Sequence, residues 1–295
     1  MSTATAFAPA KVNLFLHVGP VAADGYHPIC SLMAFADFGD RLTLEPAEEP
    51  ELVAEGPFAA DVPAGEDNLV VRALQAVARH AGASERPFRL TLDKQIPAKA
   101  GLGGGSADAA AALGLFDRWF GAGLSRTVLL DLAAGLGSDV TACLDARPVI
   151  ALGRGERLAP APSLPVLPAV LVRPPAACVT AEVYRAFDRA GQGTAADRPP
   201  LGAGIASPQE AAERLAECRN DLEAPAIGLC PPVGEALALL RCEPETLLAR
   251  MSGSGSSCFA LCADQNAAES LAARLAASRP GWWVRACRLG GPWAG

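Results

Sequence analysis

The chain has 295 residues, with 25 lysines and arginines against 32 aspartates and glutamates, for a formal charge of −7. That balance argues against an extended basic surface for nucleic acid, and the length leaves room for one or two domains with a sizeable core. Apolar residues make up 51% of the chain and its prolines and glycines gather between periodic stretches, the pattern of a folded protein rather than a disordered one.

Lys11 to Val18 alternates, with Val12, Leu14, Leu16 and Val18 on one face and Lys11, Asn13, Phe15 and His17 on the other, which predicts a strand with one side on the core. After a turn at Asp24 and Gly25, Arg41 to Glu45 reads as a second strand. Asp67 or Asn68 caps a helix carrying Val70, Val71, Leu74 and Val77 and closed by Gly82, and Phe88 to Leu92 is again strand. A glycine-rich turn then runs into a helix whose Ala109, Ala112, Leu113, Phe116, Trp119 and Phe120 form an apolar stripe. Ser125 caps a helix to about Ala134, Ser138 opens a shorter one, and Pro148 onward reads as a hairpin. Leu158 to Val172 is uncharged but broken by Pro160, Pro162, Pro165 and Pro168, which excludes a membrane helix and suggests a linker. Beyond it come a strand over 169–173, a helix over 181–190, and a helix opened by the capping box Ser207, Pro208 and Glu210. A helix over 232–241, two strands flanking Ser252–Ser257, a helix over 266–277 and a strand over 282–289 complete an α+β pattern in both halves.

Chemistry concentrates in a few places. Gly101 to Ser106 directly precedes a helix, where free N–H groups and the helix dipole favour an anion; a plain glycine turn is the competing reading. Lysine occurs only at positions 11, 94 and 99, and tyrosine only at 26 and 184. Among so many arginines, a retained lysine suggests a site wanting a compact ammonium, as at a phosphate. Asp139 is either a functional carboxylate or a helix N-terminal charge. Ser252–Ser257, SGSGSS, is either a second close-approach loop or a flexible hairpin, the hairpin being favoured from the segment alone. The nine cysteines lack CxxC spacing and the three histidines are scattered, so no metal-ligand set is expected, and reduced thiols in a cytoplasmic protein without a signal peptide are the plain reading.

Together PAKVNLFL near the start, PAKAGLGGGSADAA in the middle and SGSGSSCFAL near the end resemble the GHMP kinase superfamily of small-molecule kinases. D-G-Y-H at 24–27, E-D-N-L at 66–69, L-G-S-D at 136–139, V-T-A-E-V-Y at 179–184 and N-D-L-E at 220–223 point to its branch acting on a cytidyl diphosphate alcohol in non-mevalonate isoprenoid synthesis. The resemblance implies an N-terminal domain over 1–158 like the second domain of ribosomal protein S5, and a ferredoxin-like C-terminal domain over 159–295. It implies ATP and Mg²⁺, with Lys11 and Asp139 as the catalytic pair. It places ATP on Asn68, Lys94 and the loop Pro97, Ala98, Lys99, Ala100, Gly101, Leu102, Gly103, Gly104, Gly105, Ser106 and Ala107. It places the alcohol on Asn13, Tyr26, His27, Thr180 and Tyr184, the two tyrosines sandwiching cytosine. A monomer or weak homodimer is expected, with neither nucleic acid nor membrane as partner. Ala107 stands where many relatives carry a second serine, Lys99 where a small residue is usual, and Lys99 is expected to face solvent. A kinase of the homoserine or mevalonate type is the enzymatic alternative; an RNA-binding module on an S5-like fold is disfavoured by the −7 charge.

Overall fold

In a computed structural model, residues 3–81, 87–191 and 196–293 are described; the expected stop at Gly82 lies outside them. Two long antiparallel strands, β1 (Ala4–Val18) and β2 (Ile29–Pro46), form the spine. Both run well beyond their predicted cores, and β1 is covered on both faces rather than one, from Ala8 to Val18. Along the edge of β2 away from β1 three strands dock in turn: β5 (Val149–Gly153) beside Ile29–Met33, β10 (Trp283–Gly290) beside Phe35 and Ala36, and β4 (Phe88–Asp93) beside Arg41–Pro46.

Register along β1 shifts twice. Between Pro9 and Lys11 the partners step from Gly39 to Phe35, and between Asn13 and Phe15 they step only from Met33 to Leu32. A slip by one residue turns every later side chain to the opposite face. Phe15 therefore joins Val12 and Leu14 in one core cluster, while Leu16 and Val18 pack into another, so the simple alternation expected from the sequence breaks at Leu14.

Helix α1 (Leu69–Ala81) starts where the Asn68 Oδ1 accepts from Val70 N at 2.9 Å. With α2 (Gly104–Phe120), α3 (Arg126–Leu136) and α4 (Ser138–Cys143) it closes the first core cluster against β2 and β4. An edge strand β3 (Glu51–Glu55), parallel to β4, escaped the sequence reading because its ends are acidic and it is at most half-buried. The hairpin of β5 with β6 (Arg157–Pro160) forms as expected, and the proline-rich stretch is a shorter connection than expected, since its ends belong to β6 and to β7 (Leu167–Arg173).

The second half adds α5 (Thr180–Arg189), α6 (Pro208–Ala216), α7 (Glu223–Leu229), α8 (Pro231–Cys242), β8 (Thr246–Met251), β9 (Cys258–Cys262) and α9 (Gln265–Ser278). The Ser207 hydroxyl accepts from Glu210 N at 3.1 Å, while Glu210 reaches back to Ala206 N at 2.7 Å. Helix α7 was not foreseen, because Pro225 and Gly228 mask its period. The sheet runs β3-β4-β2-β10-β7-β9-β8, so both halves share one continuous sheet, and a core cluster joins Ala10, Val12 and Phe15 to Leu167, Phe259 and Leu289.

Seven of the nine cysteines are buried, Cys230 is half-buried and Cys242 is exposed. Burial pushes Cys30 from its ordinary 9.0 up to about 11 and Cys178 and Cys262 up to about 12. A thiol held neutral in the fold stabilises it fully below the unfolded value, and that stability is lost as pH rises through the folded values. Denaturation midpoints should therefore hold to about pH 9 and fall steadily between pH 9 and 12. At pH 8 an aromatic disulfide reagent should label Cys242 rapidly, Cys230 more slowly and the other seven only after denaturant is added; rapid labelling of the buried set would contradict this packing.

Candidate active site

The glycine-rich segment leaves strand β4 and enters α2 through Gly103, whose φ of +65° is a left-handed conformation that favours glycine. No side chain caps α2, so the amides of its first turn have no side-chain acceptor, a condition that suits an anion. A methyl at Gly103 would sit 3.0 Å from Lys11 Cε, so the loop passes directly over that lysine. The loop is anchored to β1 as well, since Lys11 N donates to Leu102 O at 2.8 Å.

SGSGSS closes the antiparallel hairpin of β8 with β9, as one reading expected, but it is packed as a close-approach loop rather than left loose. Ser252, Ser256 and Ser257 are wholly buried. Ser252 Oγ donates to Gly101 O at 2.9 Å and accepts from Asn13 N at 3.1 Å, Ser257 N donates to Ala100 O at 3.0 Å, and Asn220 Nδ2 donates to Met251 O and Gly253 O, each at 2.8 Å. The segment is a rigid bracket on the glycine loop. Close approach explains its small residues: at Gly101, with φ +74°, an added methyl would lie 2.4 Å from Ser252 O.

Under the loop, Lys11 is 4% exposed, and its ammonium donates to Asn13 Oδ1 at 2.8 Å and to Asp139 Oδ2 at 2.9 Å. Asp139 enters from the first turn of α4 with its side chain 35% exposed, so one carboxylate is shared between a buried cation and solvent. Tyr184 lies near it: burial, then the Asp139 charge, pushes the Tyr184 phenol up to about 12. The ring that approaches Tyr184 is His27, centroids 5.1 Å apart, with His27 Nδ1 donating to Gly19 O at 2.9 Å and Nε2 3.3 Å from Asp188 Oδ1. Tyr26 is 56% exposed and carries the Arg154 guanidinium 4.2 Å over its ring, so one face of the expected tyrosine sandwich is covered by arginine. Thr180 is exposed and shares a 2.8 Å hydrogen bond with Ser254, which links α5 to the serine bracket.

Asn68 is 4% exposed and its Nδ2 has no partner among the described residues. A buried donor without an acceptor costs about 1–3 kcal/mol, so a group that supplies one would be held there. Lys94, which the resemblance places on ATP, is engaged by the protein itself. Its ammonium is paired with Asp40 and, at 2.7 Å, with Asp108; its own N–H donates to Glu55 O and its carbonyl accepts from Phe58 N. Burial opposes charge on Lys94, but Asp108 and Asp40 outweigh it and raise its pKa, while burial and the Asp40 charge push the Asp108 carboxyl well above the usual carboxylate range. Lys94 thus supports the loop from within. Lys99 is exposed, as expected, at φ +52°; Ala107 is buried in the first core cluster and Ser106 is half-exposed, so Ser106 supplies the hydroxyl of this loop. Asp40, Asp108, Ser31 and Arg154 were not singled out from the sequence, because their partners are remote or their type is common.

A helix start with uncapped amides, near a part-exposed carboxylate paired with a buried lysine, is the kind of arrangement that phosphoryl transfer uses. Comparison with known proteins gives the same class. The family model for the GHMP kinases N terminal domain matches residues 68–147, and that for the GHMP kinases C terminal matches residues 204–280. The chain belongs to the GHMP kinases, which are small-molecule kinases, and ATP is the co-substrate this membership carries. More particularly, it is 57% identical over 286 residues to the 4-diphosphocytidyl-2-C-methyl-D-erythritol kinase of Caulobacter vibrioides, covering 97% of this chain and 99% of that one. It is 46% identical to the kinase of the same name from Hyphomonas neptunium, over 98% and 99% of the two chains. A crystal structure of 4-(cytidine 5'-diphospho)-2C-methyl-D-erythritol kinase superposes with a TM-score of 0.77 at 36% identity, over 98% of this chain and 100% of that one. A homoserine kinase from Cytophaga hutchinsonii, TM-score 0.70 at 18% identity over 98% and 96% of the chains, shares the fold. Among the described residues no helix is long and apolar enough to cross a membrane.

Gly101→Ala should unseat the glycine loop from Ser252, with a cost of roughly 1–3 kcal/mol for a strained backbone. Thermal melting and ATP titration should both weaken; unchanged ATP affinity would show that the bracket does not shape the place where ATP binds.

Proposed function

We propose that this enzyme transfers the γ-phosphoryl group of ATP to the 2-hydroxyl of 4-diphosphocytidyl-2-C-methyl-D-erythritol, giving the 2-phosphate and ADP in isoprenoid precursor synthesis. The observation that carries the reading is the Lys11–Asp139 contact of 2.9 Å, lodged between the glycine loop and the Tyr184 wall. Relatives bearing that kinase name at 57% and 46% identity support the choice of alcohol. Homoserine and mevalonate kinases are 18% and 12% identical and share the fold alone, and a small aliphatic alcohol has no need of the His27–Tyr184 surface.

In this reading the oxygen of the 2-hydroxyl attacks the γ-phosphorus, its proton passes to Asp139, and the bond from the γ-phosphorus to the bridging oxygen breaks as ADP leaves. Lys11 holds Asp139 in place and offsets charge growing at the transferred group. The amides at the start of α2 take the phosphates, and Asn68 offers its free Nδ2 to the adenine. His27 and Tyr184 supply an aromatic surface for the pyrimidine, Tyr26 the outer edge, and Thr180 the rim. Asn13 acts behind Lys11 rather than on the alcohol, because both ends of its amide are engaged. Mg²⁺ fits this donor set: an ion that keeps most of its shell in water and phosphate oxygens needs few protein ligands, and Ser106 would provide a hydroxyl. Bound there, it would neutralise charge on the β- and γ-phosphates. Residues 1–158 would thus supply ATP binding, the catalytic pair and half of the alcohol wall, and 159–295 the serine bracket and the other half.

A coupled ADP-release assay on the cytidyl alcohol, homoserine and mevalonate should give turnover with the first alone; turnover with either other alcohol at comparable kcat/KM would overturn the reading. Asp139→Asn should lower kcat by at least about a hundredfold, within the range of general-base loss, with ATP affinity retained. Tyr184→Ala should raise KM for the cytidyl alcohol about tenfold or more while KM for ATP stays within about twofold, as loss of roughly 1.4 kcal/mol of stacking at one substrate alone predicts. Equal effects on both substrates would remove the pyrimidine from that wall.

A further inference from the structure

Ser31 sits on β2 with no exposed surface, one strand away from Lys11, and has not figured in the chemistry so far. Its hydroxyl has a single proton. That proton goes to Phe15 O at 2.6 Å, since a carbonyl only accepts. Toward its other neighbour, Asn13 at 2.7 Å, the hydroxyl must therefore accept, and only the Nδ2 side of the amide can donate to it. The Asn13 amide is in this way oriented from behind, with Oδ1 turned to the Lys11 ammonium at 2.8 Å. Reading from the other end gives the same answer, because an ammonium has no lone pair and requires an oxygen opposite it. The order of donors, Lys11 to Asn13 to Ser31 to Phe15 O, runs one way only.

The backbone explains why this relay exists. The register shift between Asn13 and Phe15 leaves Leu14 as an extra residue in β1. The Phe15 carbonyl is taken up by a side chain, and the neighbouring Leu14 carbonyl is taken by Arg250 Nη1 at 2.8 Å. A bulge of this kind re-aims side chains at the cost of ladder bonds that must be remade elsewhere, and Ser31 remakes one of them.

We propose that Ser31 is a positioning residue for phosphoryl transfer: by fixing which end of the Asn13 amide faces Lys11, it holds the ammonium against Asp139. Without the hydroxyl, the Asn13 amide loses the acceptor that orients it and is free to turn its NH₂ toward the cation, where two donors meet and the ammonium is displaced. The inference rests on the reading of Lys11 and Asp139 as the catalytic pair.

The test is a double-mutant cycle between Ser31→Ala and Asn13→Ala, with Ser31→Thr as the conservative variant, each assayed for kcat and for both Michaelis constants. Ser31→Ala should lower kcat about tenfold with both KM values within about twofold, as expected when only transition-state positioning is lost. Ser31→Thr should recover most of the rate, and the double variant should lose no more than Asn13→Ala alone, because Ser31 acts through that amide. Near-wild-type kcat in Ser31→Ala, additive losses in the double variant, or a rise in either KM as large as the fall in kcat would each overturn the proposal. Should Ser31→Ala not stay folded at assay temperature, Ser31→Cys, of similar shape with a weakly hydrogen-bonding thiol, is read by the same criteria. Lys11→Ala separates the two ideas: retained activity there removes the catalytic pair itself, whereas lost activity with an unaffected Ser31→Ala removes only the role of Ser31.

Discussion

Taking the Lys11 ammonium out of water costs several kcal/mol unless its N–H groups find acceptors, and the acceptors it finds are an amide oxygen and a carboxylate. Much of the surrounding structure serves that condition. The glycine loop crosses over the lysine because residue 103 has no side chain, the first register shift in β1 lies just before it, and the second lies just beyond Asn13. Asp139 is delivered from α4, over a hundred residues later, at a helix start where its charge is also favoured by the dipole. The pair is thus assembled from two elements, β1 and α4, that meet only in the folded chain.

The second buried lysine shows a different use of the same group. Lys94 is placed between two carboxylates, with Asp40 also accepting from Gln95 N at 2.6 Å and Ile96 N at 2.7 Å, so strand β2, the loop entry and α2 are tied at one point. One cation facing two buried carboxylates leaves an excess negative charge, and the raised Asp108 carboxyl relieves it by favouring the protonated form. Lys11 has one charged partner, the part-exposed Asp139; Lys94 has two, and both are buried with it. Scarcity of lysine pointed to both positions, but only the count of carboxylates around each separates a group poised for chemistry from one that holds a loop.

Local signals carried much of the fold. The glycine run before α2, the Asn68 and Ser125 caps and the Ser207 box each specify an element from adjacent residues, and each is found where the chain predicts it. The superfamily resemblance added the order of motifs, and Lys11 does meet Asp139. What stayed hidden depended on distance. Nothing near Lys94 announces Asp40, 54 residues away, and nothing in SGSGSS announces that Gly101 will press on Ser252. The bulge at Leu14 was concealed because the sequence alternates straight through it, and Ser31 was passed over because a lone serine in an apolar strand has no pattern.

Strand β10 fills the slot between β2 and β7, yet it follows every other strand in chain order. On the ribosome the flanking strands are made first and must wait with facing backbone groups unpaired until Trp283 to Gly290 emerges. Nascent chains short of that point carry two open sheet edges, which are templates for pairing with other chains. The stretch of translation between β7 and β10 is therefore the time when this sheet most needs shielding from its neighbours.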